Sequence, residues 1–222
     1  CLRLVGSEMC IRDSINCGPK PETFFLGDIL TLEGTPWEFC TRSVLRSALN
    51  RLEKIAGVYA FAAFEHEFQL RSSSGLLGEG FGRAGFENQR ELCEAIITQI
   101  EAAGLRTDSI MKEYGPEQYE VVIGPEEGIR AADAAVIVRE IVRSTARHLG
   151  EEATFAPIRD PSSVGNGVHV HISFRDADGL SKTFDPDGKC GMSKLTESFA
   201  AGVLKYLDSI LAMTACLLYT SP

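Results

Sequence analysis

Eleven consecutive residues constrain this chain more than any others: Val164-Gly165-Asn166-Gly167-Val168-His169-Val170-His171-Ile172-Ser173-Phe174. A glycine-rich turn runs into a strand in which side chains at i and i+2 point the same way. His169, His171 and Ser173 therefore share one face, and Val168, Val170, Ile172 and Phe174 fill the other. Glycines ahead of such a face let the backbone turn sharply and approach a ligand closely. By itself a His-x-His pair fits a metal site, a cupin-type oxygenase centre or two satisfied core histidines equally well.

The ends of the chain read as foreign to the rest. If Met9–Ser14 is written ATG TGT ATA AGA GAC AGT, its reverse complement in a shifted frame reads TGT CTC TTA TAC ACA, which encodes Cys216-Leu217-Leu218-Tyr219-Thr220. One DNA tag in two orientations explains both ends, so residues 1–14 and 216–222 are expected to be non-native and are set aside from fold reasoning. A signal peptide or membrane anchor is the competing reading, but Leu2–Met9 lacks the apolar run that either requires.

About 200 residues then remain, enough for one domain with a substantial core or for a large piece of a bigger one. The tags carry Arg3 and Arg12 against Glu8 and Asp13, so the net charge of -9 belongs to the interior. An acidic chain with no basic run argues against nucleic acid or an anionic membrane as partner. Of seven cysteines, Cys17, Cys40, Cys93 and Cys190 lie between the tags, widely spaced and without a CxxC pair. A reduced, cytoplasmic setting is expected.

Periodicity organises the middle of the chain. Phe24–Leu32 reads as a strand, and Arg42–Ile55 as a helix with Val44, Leu45, Ala48, Leu52 and Ile55 at helical spacing, closed by Gly57. Val58–Leu70 reads as a strand on which Glu65 and Glu67 share a face. Residues 71–86 hold five glycines without a period and read as a loop. Glu87–Ala103 and Ala131–Leu149 are amphipathic helices, and Ser193 caps a third, Ser193–Met213, expected to bury Leu195, Phe199, Val203, Leu204, Leu207 and Leu211. Between them, the Gly115-Pro116 turn joins two extended pieces and can bring Glu113 back towards Glu120.

Three segments thus offer ligands: Glu65 with Glu67, Glu113 with Glu120, and His169 with His171. Four carboxylates and a histidine suit a hard cation, magnesium or manganese, rather than thiolate-held zinc. Two such ions close together would clamp and neutralise transferring phosphates.

Taken in order, Glu65-x-Glu67-Phe68, Glu113-x-Gly115-Pro116-x-Gln118-x-Glu120 and Gly165-x-Gly167-x-His169-x-His171-x-Ser173 resemble the catalytic domain of the glutamine synthetase family. Gly34-Thr35-Pro36 and Phe199-x-x-Gly202-Val203-Leu204 add to the likeness, which covers residues 24–213. The resemblance implies an α+β fold, a curved, mostly antiparallel sheet lined by metal ligands with helices packed outside. It divides the chain into a remnant of an N-terminal β-grasp domain and linker at 15–35, most of that domain being missing, and a partial catalytic domain at 36–215.

The same resemblance implies an ATP-dependent ligase that phosphorylates a glutamate side chain and lets ammonia or an amine displace the phosphate, in a homo-oligomeric ring. Two or more Mg2+ or Mn2+ ions are implied, with ATP as co-substrate. Glu67, Glu113 and Glu120 would hold the metal nearest the substrate, and Glu65 and His169 the one bridging the ATP phosphates. His171 and Ser173 would face the nucleotide, Gly165 and Asn166 the substrate glutamate, and Glu113 would also receive the ammonium or amine as the catalytic group. Two departures stand out. The family commonly has Asn five residues before the first histidine, where this chain has Val164, with Asn166 two positions later. The family's C-terminal arginine-rich segment and last metal-ligating glutamate have no counterpart here, so the chain alone is expected to be inactive. A γ-glutamylpolyamine-type synthetase, a cupin-like metal oxygenase and a non-catalytic subunit are the alternatives.

Overall fold

The structure, a computed structural model, describes the strands Arg3–Val5 and Asp13–Ile15 and residues 22–71 and 80–214. The elements run β1 (Arg3–Val5), β2 (Asp13–Ile15), β3 (Glu22–Phe24), β4 (Asp28–Leu30), α1 (Thr41–Ala56), β5 (Tyr59–Leu70), α2 (Arg83–Asn88), α3 (Arg90–Ala102), β6 (Thr107–Lys112), β7 (Gln118–Ile123), β8 (Glu126–Glu127), α4 (Gly128–His148), β9 (Ala153–Thr154), β10 (Val168–Arg175), α5 (Lys194–Lys205) and α6 (Leu207–Thr214).

The antiparallel α+β architecture agrees with expectation. One six-stranded sheet runs in the order β10-β5-β7-β6, with β8 and β9 also pairing with β5, and all its pairings are antiparallel. The long strand β5 is its spine, because one edge takes β7 and β8 while the other takes β10 and β9. Alternation along β5 and β7 sends Phe68, Leu70, Tyr119, Val121 and Ile123 to one face. There they meet Leu92, Ile96 and Ile100 of α3 and Ile137, Val138, Ile141 and Val142 of α4 in a single core. Helix α4 lies against this face because its small residues Ala131, Ala134, Ala135 and Ala146 allow close approach and are themselves buried.

Several boundaries differ from the sequence reading. The strand expected over Phe24–Leu32 is two short strands, β3 and β4, because they pair with different partners, β2 and β1. The helix expected from Glu87 begins earlier as α2 and breaks at Gln89, where Arg90 grips Glu87 across the break while Arg83 holds the same carboxylate from within α2. The last helix starts as read, with Ser193 Oγ accepting from the Thr196 N–H at 3.1 Å, but breaks at Tyr206 into α5 and α6. Its expected burial is corrected: neither piece has a buried residue, and Leu204 is 71% exposed. Phe199 meets the buried Phe174 ring, with centroids 5.1 Å apart, and Leu195 and Val203 are half-buried. The valines and isoleucine of β10 depart in the same way, since Val168, Val170 and Ile172 are all more than 40% exposed and only Phe174 reaches the core. Within the stretch read as an N-terminal tag, Arg3–Val5 pairs with β4, and Asp13–Ile15, which runs one residue past it, pairs with β3, while residues 216–222 lie outside the described residues.

A charged network fixes α1 to the body. Arg42 donates to Asp133 of α4 through Nε at 3.0 Å and Nη2 at 2.9 Å, and through Nη1 to Asp28 at 2.7 Å, while Arg46 holds the other Asp28 oxygen at 2.8 Å. Asp133 is 4% exposed, so the guanidinium that faces it compensates a buried charge. Truncating one partner of such a pair strands the other. Asp133→Ala should therefore lower unfolding stability by roughly 3 kcal/mol in urea denaturation, whereas the paired apolar change Arg42→Met with Asp133→Leu should recover most of that loss.

Candidate metal centre

The face of the sheet opposite the core carries the acidic and imidazole side chains, and register alone assembles them. Within β5–β10, His169 lies directly across from Glu65; within β5–β7, Glu120 lies directly across from Glu67. Directly paired residues on one face have their Cβ atoms about 5 Å apart. Glu65, Glu120 and His169 each offer one ligand atom within 4.8 Å of the others. Glu65 is also gripped from the side of β10, its two oxygens lying 3.0 Å from His169 Nδ1 and 2.7 Å from His171 Nε2. His171, read as a nucleotide contact, thus belongs to the same cluster through Glu65. Ser173 lies one step further along this face, half-buried, opposite Phe61.

The expected glycine approach is present at Gly167. Its N–H donates to Glu67 Oε2 at 2.9 Å and its carbonyl accepts from the Glu67 N–H at 3.1 Å. A Cβ at Gly167 would stand 3.1 Å from Glu67 Oε1, and one at Gly165 would lie 2.5 Å from the Pro157 carbonyl. Any other residue at 165 would push this turn off the sheet.

Sequence reasoning passed over Gln118, quoted only as part of a motif. Its side chain is buried, and its Oε1 accepts from the Gly115 N–H at 2.9 Å. Its Nε2 reaches Glu67 Oε2 at 2.9 Å, the Gly165 carbonyl at 2.8 Å and Asn166 Oδ1 at 3.0 Å. One amide therefore ties the hairpin turn between β6 and β7, the carboxylate of β5 and the glycine turn before β10. The signal was its place two residues before Glu120 on a strand whose other polar residue is a candidate ligand. Asn166, expected at the substrate, has both ends of its amide engaged, with Nδ2 donating to the Ala156 carbonyl at 2.8 Å. Lys112 acts from the other face. Buried, it donates through Nζ to the carbonyls of Glu113 and Gly115. Burial lowers its pKa, against the opposing pull of Glu117 and Glu113.

Glu113 stands at the end of β6, its Oε2 accepting from the Tyr114 N–H at 3.1 Å. The cluster is electrostatically crowded. Burial raises the pKa of Glu120, and repulsion from Glu65, Glu113 and Glu67 raises it further, with only His169 acting the other way. Half-buried and buried carboxylates facing one another want a cation between them, and hard oxygen donors with one imidazole select magnesium or manganese. The donor set thus fits the metal that the sequence implied. Glu67 and Glu113 face the same charge, but Glu67 already gives one oxygen to Gly167 and Gln118.

Residues 38–218 match the family model described as glutamine synthetase, catalytic domain. This chain belongs to the glutamine synthetase family. It is 32% identical over 206 residues to type-1 glutamine synthetase 1 of Dictyostelium discoideum, covering 86% of this chain and 41% of that protein. It is 32% identical over 197 residues to a gamma-glutamylpolyamine synthetase of Streptomyces coelicolor, covering 85% of this chain and 42% of the relative. A solved structure described as a novel glutamine synthase homolog superposes with a TM-score of 0.89 at 35% identity, over 96% of this chain and 51% of that one. The chain therefore spans about two fifths of the length of these curated relatives. Family membership sets aside the cupin-like alternative, as does the fold: the two histidines sit on an edge strand, among the described residues, of an open sheet backed by α3 and α4. Among the described residues no helix is long and apolar enough to cross a membrane.

Two substitutions separate charge from scaffold. Glu120→Gln should abolish high-affinity Mn2+ binding in a calorimetric titration, yet raise the stability of the metal-free chain by about 1 kcal/mol by removing one of the crowded charges. Gln118→Ala, which removes no candidate ligand, should weaken Mn2+ binding by roughly 10-fold to 100-fold by freeing Glu67 and the glycine turn.

Proposed function

We propose that this chain is part of an ATP-dependent carbon-nitrogen ligase that activates a glutamate side-chain carboxylate as an acyl phosphate and joins ammonia or an amine to it. The single observation that carries the reading is the convergence of Glu65, Glu120 and His169 on one point of a sheet in a chain of this family. The relatives, a glutamine synthetase and a gamma-glutamylpolyamine synthetase by name, support an amine-joining activity without selecting the amine.

In this reading Glu65, Glu120 and His169 would hold a metal, and Glu67 and Glu113 would add their charge beside it. A bound Mg2+ or Mn2+ supplies positive charge that neutralises phosphate oxygens. The residues do the rest. Gln118 and Gly167 hold the Glu67 carboxylate in place, and the glycine turn leaves backbone rather than side chains at Gly165 to border the glutamate. His171 and Ser173 border the nucleotide from the far end of β10. Glu113 receives the incoming ammonium and takes one of its protons, freeing the nitrogen lone pair to attack the acyl phosphate as phosphate leaves, a task suited to a carboxylate beside the trio. A homo-oligomeric ring, a second metal and ATP as co-substrate belong to this proposal as implied by the family resemblance, and the activity is that of the longer protein.

The test uses the longer protein recovered with its flanking sequence. With glutamate, ATP, Mg2+ and ammonia or a panel of amines, it should release phosphate in proportion to amide formed. Glu113→Gln should lower kcat by about 100-fold or more while leaving ATP binding within a few-fold. Absence of phosphate release with every acceptor refutes the ligase reading.

A further inference from the structure

Beside the acidic cluster, among the described residues, the turn between β6 and β7 is lined by exposed apolar side chains. Tyr114 is 74% exposed, Phe81 56% and Val164 44%. Single apolar residues in water are ordinary, but these are arranged. The rings of Phe81 and Tyr114 meet edge to face, with centroids 4.9 Å apart and planes at 88°. Phe81 is held in place at φ +60°, a left-handed backbone that a bulky residue adopts only under constraint, and its N–H donates to the Lys112 carbonyl at 2.8 Å. Val164 lies over the same turn: a Cβ on Gly115 would stand 2.7 Å from Val164 Cγ2. The Tyr114 N–H draws the Glu113 carboxylate to the base of this wall.

A carboxylate at the foot of an aromatic wall is a receptor for an organic cation. The ring faces attract positive charge, the carboxylate neutralises it, and the apolar surface is useful only to a cation that carries carbon. Bare ammonium would use Glu113 and leave the wall wet. An acceptor with its own carboxylate would meet repulsion from Glu113 and Glu120.

We propose that the acceptor is a primary amine bearing an uncharged apolar chain, its ammonium end received by Glu113 and its carbon chain laid along Phe81 and Tyr114, with Val164 closing the inner end. This rests on the ligase reading above and narrows its acceptor. The experiment titrates the Mn2+-loaded 222-residue chain with n-butylammonium, ammonium and 4-aminobutyrate by calorimetry, and measures Mn2+ affinity separately on each variant. n-Butylammonium should bind about tenfold tighter than ammonium or better, as expected for a few partly buried methylenes, and 4-aminobutyrate should lose that gain. Phe81→Ala and the change Tyr114→Ser at the more exposed ring should each bring n-butylammonium to within about twofold of ammonium without moving Mn2+ affinity. Equal affinity for n-butylammonium and ammonium on protein that binds Mn2+, or an advantage that survives in both variants, overturns the assignment of the wall and leaves the ligase reading standing. A chain that fails to bind Mn2+ at all overturns the metal centre of this chain and the acceptor assignment with it, whereas the ligase reading stands or falls on phosphate release by the longer protein.

Discussion

Like charges forced onto one face of a sheet are the constraint on which the rest of this structure depends. Glu65 and Glu67 sit two residues apart on β5, Glu120 faces Glu67 from β7, and Glu113 lies close enough to add to the repulsion. Without a cation this face works against the fold, and the burial of Glu120 makes the conflict sharper. The opposite face supplies the compensation: Phe68, Leu70, Tyr119 and Val121, sealed by α3 and α4, keep the strands in register regardless of what their other side chains would prefer. A one-residue slip of β7 would exchange those two faces, which is why core and cluster specify the same register.

Holding the carboxylates is a separate task from placing them. Gln118 joins three segments through one buried amide, and the backbone N–H of Gly167 takes the remaining direction on Glu67. On the far side Lys112 closes the turn by binding the carbonyls of Glu113 and Gly115. Each of these groups is neutral or turned away from the cluster, so the scaffold stiffens the carboxylates without cancelling the charge that a metal would meet. The two histidines on Glu65 complete this arrangement from the edge strand.

The apolar surface is distributed unevenly. Helices α3 and α4 are sealed, whereas α1, α5 and the core-side face of β10 border an open apolar cleft lined by Leu45, Leu52, Ile55, Ile172 and Phe199. The amphipathic pattern of these segments is as clear in the sequence as that of α3 and α4. Periodicity reports that a face is apolar; what covers it is decided by which other elements are present.

By itself the sequence determined most of the local elements, though not where several of them break, and the types of candidate ligand. The i, i+2 spacing in β5 and β10, the Gly57 and Ser193 signals at helix ends and the ordered motif with its family resemblance all follow from chemistry within a few residues. Side-chain alternation required Glu65 to share a face with Glu67, and His169 with His171, before any fold was known. Only the tertiary structure decided which carboxylate meets which histidine, because cross-strand register is set by packing between residues some hundred positions apart, as in His169 opposite Glu65. It also decided that Gln118 is the amide at the junction, that Asn166 is consumed by the scaffold and that Phe81 and Tyr114 stand together. Those facts depend on segments meeting in space, which no local spacing encodes.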